Sequence, residues 1–339
     1  MIALRRNTAG RAVTDQDTFS KHFPAGMLKI AFLSVLCFLT ASMMPSGADS
    51  QALSVATWKT AQTIQPFYYE KFLDRGEKVT ILPFTNPADM KTALTARNVV
   101  MCGTTLPYAI TAASRGEPVV LVASLCNKCS ALVVGKDSNI TTMKDLKDKK
   151  IGYVPGTIHE VFLREILARN GLNFARDIRA TRVDFFDMGT ALANGSIDAF
   201  LSGEPFPAIA VLKGYGRLLA YPYFDDGVGT INAGMLVLRE TVDKNPELVA
   251  RLVKAHADAT DYLTQHPEEW LRKSAEFGTP LEVLEQAMPN MELAWKMDST
   301  FVERAKALGQ RMQELGIIER QPDYGKLFDL RFVEKISPR

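Results

Sequence analysis

The sequence predicts an α/β protein of two lobes, each a mainly parallel sheet flanked by helices, with two hinge strands between them. Three observations lead there. From Leu53 onward, short apolar or β-branched runs alternate with stretches of helical periodicity, the pattern of repeated strand–helix units and hence of parallel sheets. The alternation breaks at residues 136–139 and then resumes as a second set. Two apolar crossings, near residues 133–135 and 230–234, are placed to carry the chain from one lobe to the other and back. The expected division is 53–134 with 231–339 for lobe I, and 135–230 for lobe II.

Taken in order, residues 54–58 read as the first strand and 63–73 as a helix interrupted early by Pro66. Residues 78–84 form a second strand, in which Val79, Ile81 and Leu82 fit a buried position. Pro87 opens the next helix at its first turn, where a missing N–H is harmless. Strands follow at 99–101 and 119–125, separated by a helix around 107–114. After the apolar run 131–134, the second set contains a strand at 150–154, a helix at 160–170 stopped by Gly171, and a strand at 180–183. A helix from Asp187 and a strand ending at Leu201 complete it, and residues 221–229 make a loop rich in aromatics, Asp and Gly. The strand 233–238 returns the chain, and from Glu240 it is mostly helical, with Pro246, Pro267 and Pro280 each starting a helix.

The ends and the composition narrow the class. Residues 27–29 are a short basic lead into the apolar run 30–39, which is too short for a span of about 20 residues. Small residues then offer cleavage after Ala48 or Ala52, so 27–52 reads as a secretory signal and 1–26 as a non-structural extension. Export, with a periplasmic mature protein and no stable membrane insertion after cleavage, is the expectation. Lys and Arg number 40 against 38 Asp and Glu, a balance that gives no basic surface for nucleic acid. Four histidines leave few candidates for acid–base chemistry. No phosphate loop, nucleophile elbow or Glu-rich metal cluster is present.

The most informative stretch is 188–208, MGTALANGSIDAFLSGEPFPA. Met188, Ala191 and Leu192 recur at helical spacing, Gly195 suits a helix C-cap, and 197–201 is a brief apolar run. In open α/β sheets ligands bind beyond the carboxyl ends of strands, which places Ser202, Glu204 and Phe206 where a small molecule is read. This stretch resembles the second lobe of the periplasmic substrate-binding proteins of ABC importers, in the branch that takes nitrate, sulfonates, taurine and thiamine-pyrimidine precursors. The resemblance extends over most of 53–333: the opening strand and helix with Trp58 and Phe67, the strand leading to Asn86-Pro87, and TMKDLKDKKIGYV at 142–154 followed by Pro155-Gly156-Thr157. It departs at Asn98 and at Cys102-Gly103-Thr104-Thr105, where the family commonly carries a Gly-Asp-Ala turn.

The resemblance implies the two-lobed periplasmic-binding-protein fold of type II. It also implies a monomeric solute-binding protein that catalyses nothing, needs no cofactor, and passes its ligand to an ABC permease and its ATPase. The ligand class stays open among sulfonates, nitrate-like oxyanions and pyrimidines. Thr157 stands at a strand-to-helix junction, where free amides attract anions, although a plain N-cap reads equally well. His159 follows it on the same helix. Trp58, Phe67 and Phe206 are candidates to stack on a planar ligand, and Glu204 to accept from a ligand amine or to hold a hinge residue. Gly103, Thr104, Ser130, Asp187 and Asn232 complete the candidate site.

Cys102, Cys126 and Cys129 all fall at expected strand ends facing the cleft. In an exported chain a Cys126–Cys129 disulfide is the plain reading. A soft-metal site on all three thiols is the alternative, as are thiols that only shape the pocket. A thioredoxin-like role fits poorly, because a strand pattern rather than a helix follows Cys129. The remaining enzymatic alternative is a thiamine-pyrimidine synthase, which resembles this family in fold but is intracellular.

Overall fold

The computed structural model describes residues 53–224 and 229–336, so the expected signal 27–52 and extension 1–26 lie outside the described residues. Within these, ten strands are laid down in chain order: β1 (Ser54–Trp58), β2 (Thr80–Phe84), β3 (Met101–Thr105), β4 (Val119–Cys126), β5 (Ser130–Gly135), β6 (Lys150–Tyr153), β7 (Arg179–Arg182), β8 (Ala199–Gly203), β9 (Gly216–Ala220) and β10 (Ala233–Leu238). They form two five-stranded sheets, ordered β2-β1-β3-β10-β4 and β7-β6-β8-β5-β9. β10 runs antiparallel to both its neighbours in the first sheet, and β5 does so in the second; the other pairings are parallel. Each sheet is thus mainly parallel with one reversed strand, and the two share one plan.

The reversed strands are the ones that follow a crossing. The chain leaves the first sheet after Cys126 and enters the second at Ser130, so the change of sheet lies at 127–129. That corrects the expected boundary at 134/135: Ala131, Leu132, Val133 and Val134 pair with β8 and β9 and belong to the second lobe. The apolar run there is the reversed strand itself, buried on both faces, which is why it reads as a crossing. β3, β4 and β10 are buried along their whole lengths. Each Val, Leu or Ile so placed contributes about 1.5–3 kcal/mol.

Local chemistry sets the helices between these strands. Asn86 Oδ1 accepts from the Ala88 N–H at 2.8 Å, capping the helix Pro87–Thr95 whose first residue lacks that donor. Gly171 and Gly195 follow the helices Ile158–Arg169 and Met188–Ala193 at φ +73° each, the left-handed conformation expected of a helix stop. The expected helix at 63–73 is instead two 3-10 segments, Ala61–Thr63 and Gln65–Lys71. Hydroxyls compete with the backbone here: Thr63 Oγ1 donates to the Trp58 carbonyl at 3.0 Å, and Thr57 Oγ1 donates to the Thr63 carbonyl at 2.9 Å. The tight turn that results holds Gln62 and Thr63 under the end of β1.

Two further differences matter. The third strand spans 101–105 instead of ending at Met101, so the Cys-Gly-Thr-Thr run is strand. β9, which no strong periodicity announced, forms the edge of the second sheet with Leu218 exposed.

The lobes are in contact. One apolar cluster takes in Val55 and Leu121 of the first sheet together with Leu132, Ile151 and Phe162 of the second lobe. Thr105 Oγ1 donates to the Gly156 carbonyl at 3.3 Å, and Arg311, on the helix Ser299–Glu314, pairs with buried Glu165. The segment 288–295 runs beside the first crossing: Asn127 N–H donates to the Glu292 carbonyl at 2.9 Å and Ser124 N–H to the Trp295 carbonyl at 3.1 Å. No helix among the described residues is long and apolar enough to cross a membrane.

Candidate ligand-binding site

A cavity of about 40 Å³ lies between the sheets, at the carboxyl ends of β1, β3 and β8. That is room for roughly three water molecules. The first lobe supplies Trp58, the turn residues Thr60, Gln62 and Thr63, and Thr105 at the end of β3. The second lobe supplies His159, Phe185, Gly203 and Phe206, while Cys126, Cys129, Asn232 and Ala233 come from the two crossings and their flanking strands. Among the described residues that line it, none carries a charge.

Each polar wall group is held by a neighbour. Ser130 Oγ and His159 Nδ1 are 3.2 Å apart, which leaves Nε2 as the ring nitrogen free for a ligand. Burial pushes the imidazole down to about 3, so His159 is neutral at any physiological pH. Phe185 meets the His159 ring edge-on at 5.5 Å and stacks on Phe206 at 6.0 Å, forming an aromatic wall. Asn232 Nδ2 donates to Cys129 Sγ at 2.9 Å. A hydrogen bond with Cys129, together with burial, pushes the Cys126 thiol well up.

Glu204 stands behind the cavity. Its Oε2 accepts from the Ala208 N–H at 3.2 Å and its Oε1 from Asn290 Nδ2 at 3.1 Å. Burial raises its carboxyl to about 7 in spite of those two donors. Asn290 Nδ2 also donates to the Ser130 carbonyl at 3.2 Å, and Asn290 Oδ1 accepts from Tyr223 OH. Glu204 is thus paired with neutral groups, and no cation forms a salt bridge with it among the described residues.

Of the residues expected from sequence, Trp58, Cys129, His159, Phe206 and Asn232 line the cavity; Ser130 is one contact behind through His159, and Glu204 through its N–H, which donates to the Cys129 carbonyl at 2.7 Å. The others lie elsewhere. Phe67 packs on Phe277, ring centroids 4.8 Å apart, in the cluster under the C-terminal helices. Thr157 is an N-cap position whose hydroxyl donates to the Val154 carbonyl at 2.7 Å, inside its own loop. Asp187 is exposed. Gly103 lies behind Trp58, where a Cβ would come within 3.2 Å of the indole, and Thr104 Oγ1 turns to the Thr105 carbonyl.

Cys102 faces the core from the middle of β3, its thiol pushed up to about 12 by burial. It does not join Cys126 and Cys129, so the three-thiol site is not assembled. Among the described residues no group of three His, Cys, Asp or Glu side chains is gathered to hold a metal ion. The expected Cys126–Cys129 disulfide is absent: both are free thiols.

Sequence reasoning missed Thr60, Gln62, Thr63, Phe185 and Asn290. The first three directly follow the carboxyl end of β1, the same signal that located Glu204 and Phe206. Asn290 lies some 86 positions from Glu204, and nothing local marks it.

Residues 67–270 match the NMT1/THI5-like family. The chain belongs to the NMT1/THI5-like family. Its relatives include proteins named as binding proteins and proteins named as synthases. A putative binding protein of Brucella abortus (strain 2308) is 32% identical over 141 residues, 40% of this chain and 43% of that protein. The 4-amino-5-hydroxymethyl-2-methylpyrimidine phosphate synthase of Schizosaccharomyces pombe is 33% identical over 138 residues, 40% of this chain and 38% of that one. The chain thus spans about two fifths of the length of these curated relatives. In fold, this family member is similar to the alkanesulfonate-binding protein SsuA of Xanthomonas axonopodis pv. citri bound to MOPS. The TM-score is 0.73 at 20% identity, covering 83% of this chain and 99% of that one. The fold is that of the ABC-type substrate-binding proteins, as the sequence led us to expect.

Proposed function

We propose that this NMT1/THI5-like protein is the solute-binding component of an ABC importer, working in the periplasm and closing its lobes on a small, uncharged, planar molecule for delivery to a permease. One observation supports the reading: the cavity between the lobes is walled by aromatic rings and neutral hydrogen-bonding groups, with no cation among the described residues that line it to meet an oxyanion. A sulfonate or nitrate would bring a full charge into a site where desolvation is uncompensated. An uncharged ring can instead lie against Phe185 and Phe206 and be oriented by His159 and the Thr60–Thr63 turn.

Closure follows from contacts made by both lobes. A ligand that touches the first-lobe turn and the second-lobe aromatic wall stabilises the closed form by its differential affinity for it. The cavity is small for a ring, so the lobes part to admit one. Catalysis fits less well. The Cys126 thiol, raised by its hydrogen bond and burial, and the imidazole, depressed by burial, are both in neutral, weakly reactive forms.

Thermal denaturation with cytosine, 2-aminopyrimidine, ethanesulfonate and nitrate tests the proposal. A ligand at a hundred times its Kd adds about 2.7 kcal/mol to stability. The neutral azines should raise the melting temperature and the two anions should leave it unchanged; the reverse order overturns the reading.

A further inference from the structure

We infer that Trp58 and Gln62 form a donor–acceptor pair that selects the ligand: the Trp58 indole N–H and the Gln62 side-chain carbonyl await an acceptor and a donor carried on one uncharged planar group, an amide or an amino-substituted azine. The inference rests on the reading above and narrows it to a hydrogen-bonding pattern.

Buried polar groups in folded chains are almost always paired, and those left unpaired call for a reason. Trp58 Nε1 and Gln62 Oε1 are both buried without a hydrogen-bond partner, and both residues line the cavity. The other tryptophans show what a buried indole does elsewhere in this chain. They donate to the Ala61 carbonyl (Trp270, 2.7 Å) and to Asp261 Oδ1 (Trp295, 2.8 Å). Gln65 Nε2 donates to the Leu125 carbonyl at 2.7 Å, while Gln65 Oε1, Ser202 Oγ and Thr230 Oγ1 are also buried without a partner; of these five residues only Trp58 and Gln62 line the cavity.

The packing of the indole adds a direction. A Cβ on Gly103 would lie 3.2 Å from Cζ3 and 3.5 Å from Cε3 of Trp58, so the benzo edge opposite the nitrogen rests on β3. The N–H lies on the other side of the ring from this contact. Gln62 sits in the turn held by Thr57 and Thr63, four residues from Trp58, on the same lobe and lining the same cavity. An acceptor-only ligand satisfies the indole and leaves the Gln62 carbonyl stranded; a ligand with adjacent acceptor and donor satisfies both.

Trp58→Phe keeps an aromatic ring without its donor, and Gln62→Met keeps the length of the side chain without its carbonyl. Each should weaken cytosine binding more than tenfold by calorimetry. Gln62→Met should leave the ligand-free melting temperature unchanged or raised, because it removes a buried group that has no partner. In ¹H–¹⁵N spectra, the indole resonance missing from Trp58→Phe should move downfield when the wild-type chain is saturated with cytosine. If cytosine binds the wild type and both variants equally, or that resonance stays put, the pair is overturned while the neutral-ligand reading stands. If ethanesulfonate binds and neither cytosine nor 2-aminopyrimidine does, both fall.

Discussion

Asn290 Nδ2 lies 3.1 Å from Glu204 Oε1 and 3.2 Å from the Ser130 carbonyl, so one amide nitrogen ties the end of β8 to the start of β5. Its Oδ1 accepts from Tyr223 OH at 2.5 Å, and Tyr223 OH accepts from the Ser130 N–H at 2.8 Å. The two crossings and the second lobe therefore meet at a single side chain from the C-terminal helical region.

Replacing Asn290 with Ala strips a partner from three groups at once: the buried Glu204 carboxyl, the buried Ser130 carbonyl and the half-buried Tyr223 hydroxyl. Leaving a buried group unsatisfied costs about 1–3 kcal/mol. The expected loss is about 2–4 kcal/mol, read from urea denaturation. A loss under about 0.5 kcal/mol would show that the bridge contributes nothing to the fold.

Glu204 makes stability depend on pH in an unusual direction for a carboxylate. Its folded value of about 7 lies above the ordinary 4.5 because burial disfavours the charge. The folded chain keeps a proton that the unfolded chain releases between those values, so stability falls as pH rises through that window, by something on the order of 3 kcal/mol. His159 and His256, held near 3 and 4 by burial, act oppositely, and stability gains from them as pH rises toward about 6.5. The wild-type profile mixes these effects, and Glu204→Gln separates them. The gap between the two stability curves should grow by about 3 kcal/mol in favour of Glu204→Gln from pH 4.5 to 7 and be flat outside that range. A constant gap across the window would mean that Glu204 stays ionised.

Arg311 and Glu165 link the helix Ser299–Glu314 to the second lobe. Glu165 keeps Arg169 when Arg311 is lost, so Arg311→Ala should cost only about 1–2 kcal/mol. The larger effect should be on lobe closure. Small-angle scattering of the ligand-free variant should give a larger radius of gyration than wild type; equal radii would place no closing role on this pair.

How much of this was legible beforehand varies with the range of the interaction. Strand runs such as 54–58 and 233–238 read true because their apolar residues answer to burial alone. Thr157 shows the limit: a hydroxyl beside a helix start looks the same in sequence whether it faces a ligand or, as here, the Val154 carbonyl. Cys102 failed because strand β3 continues past it, which turned an expected strand end into core. His159 lines the cavity because it sits on the first turn of a helix that begins at the cleft. The turn 60–63 escaped notice because its shape comes from Thr57, Thr60 and Thr63 bonding one another, a competition with the backbone that helix periodicity does not report. Asn290 depends on how the C-terminal helices fold back, and no local pattern encodes that.

Gly203 ends β8 at the wall of the cavity, where an added methyl would lie 3.2 Å from both Cys129 Sγ and His159 Nε2. Gly203→Ala thus places a carbon between the thiol and the ring nitrogen left for the ligand. Cys129 and His159 must each give by a few tenths of an ångström to admit it, which should cost about 1–2 kcal/mol of stability, while cytosine affinity should fall at least tenfold. Gly152 in β6 is the control. A Cβ there would come within 2.8 Å of Ile197 Cδ1 and 3.3 Å of Phe200 Cβ, inside a packed core and away from the cavity. Gly152→Ala should lose about 1–3 kcal/mol of stability with affinity retained. Retained affinity in Gly203→Ala would move the ligand away from the Cys129–His159 wall and toward another face of the cleft.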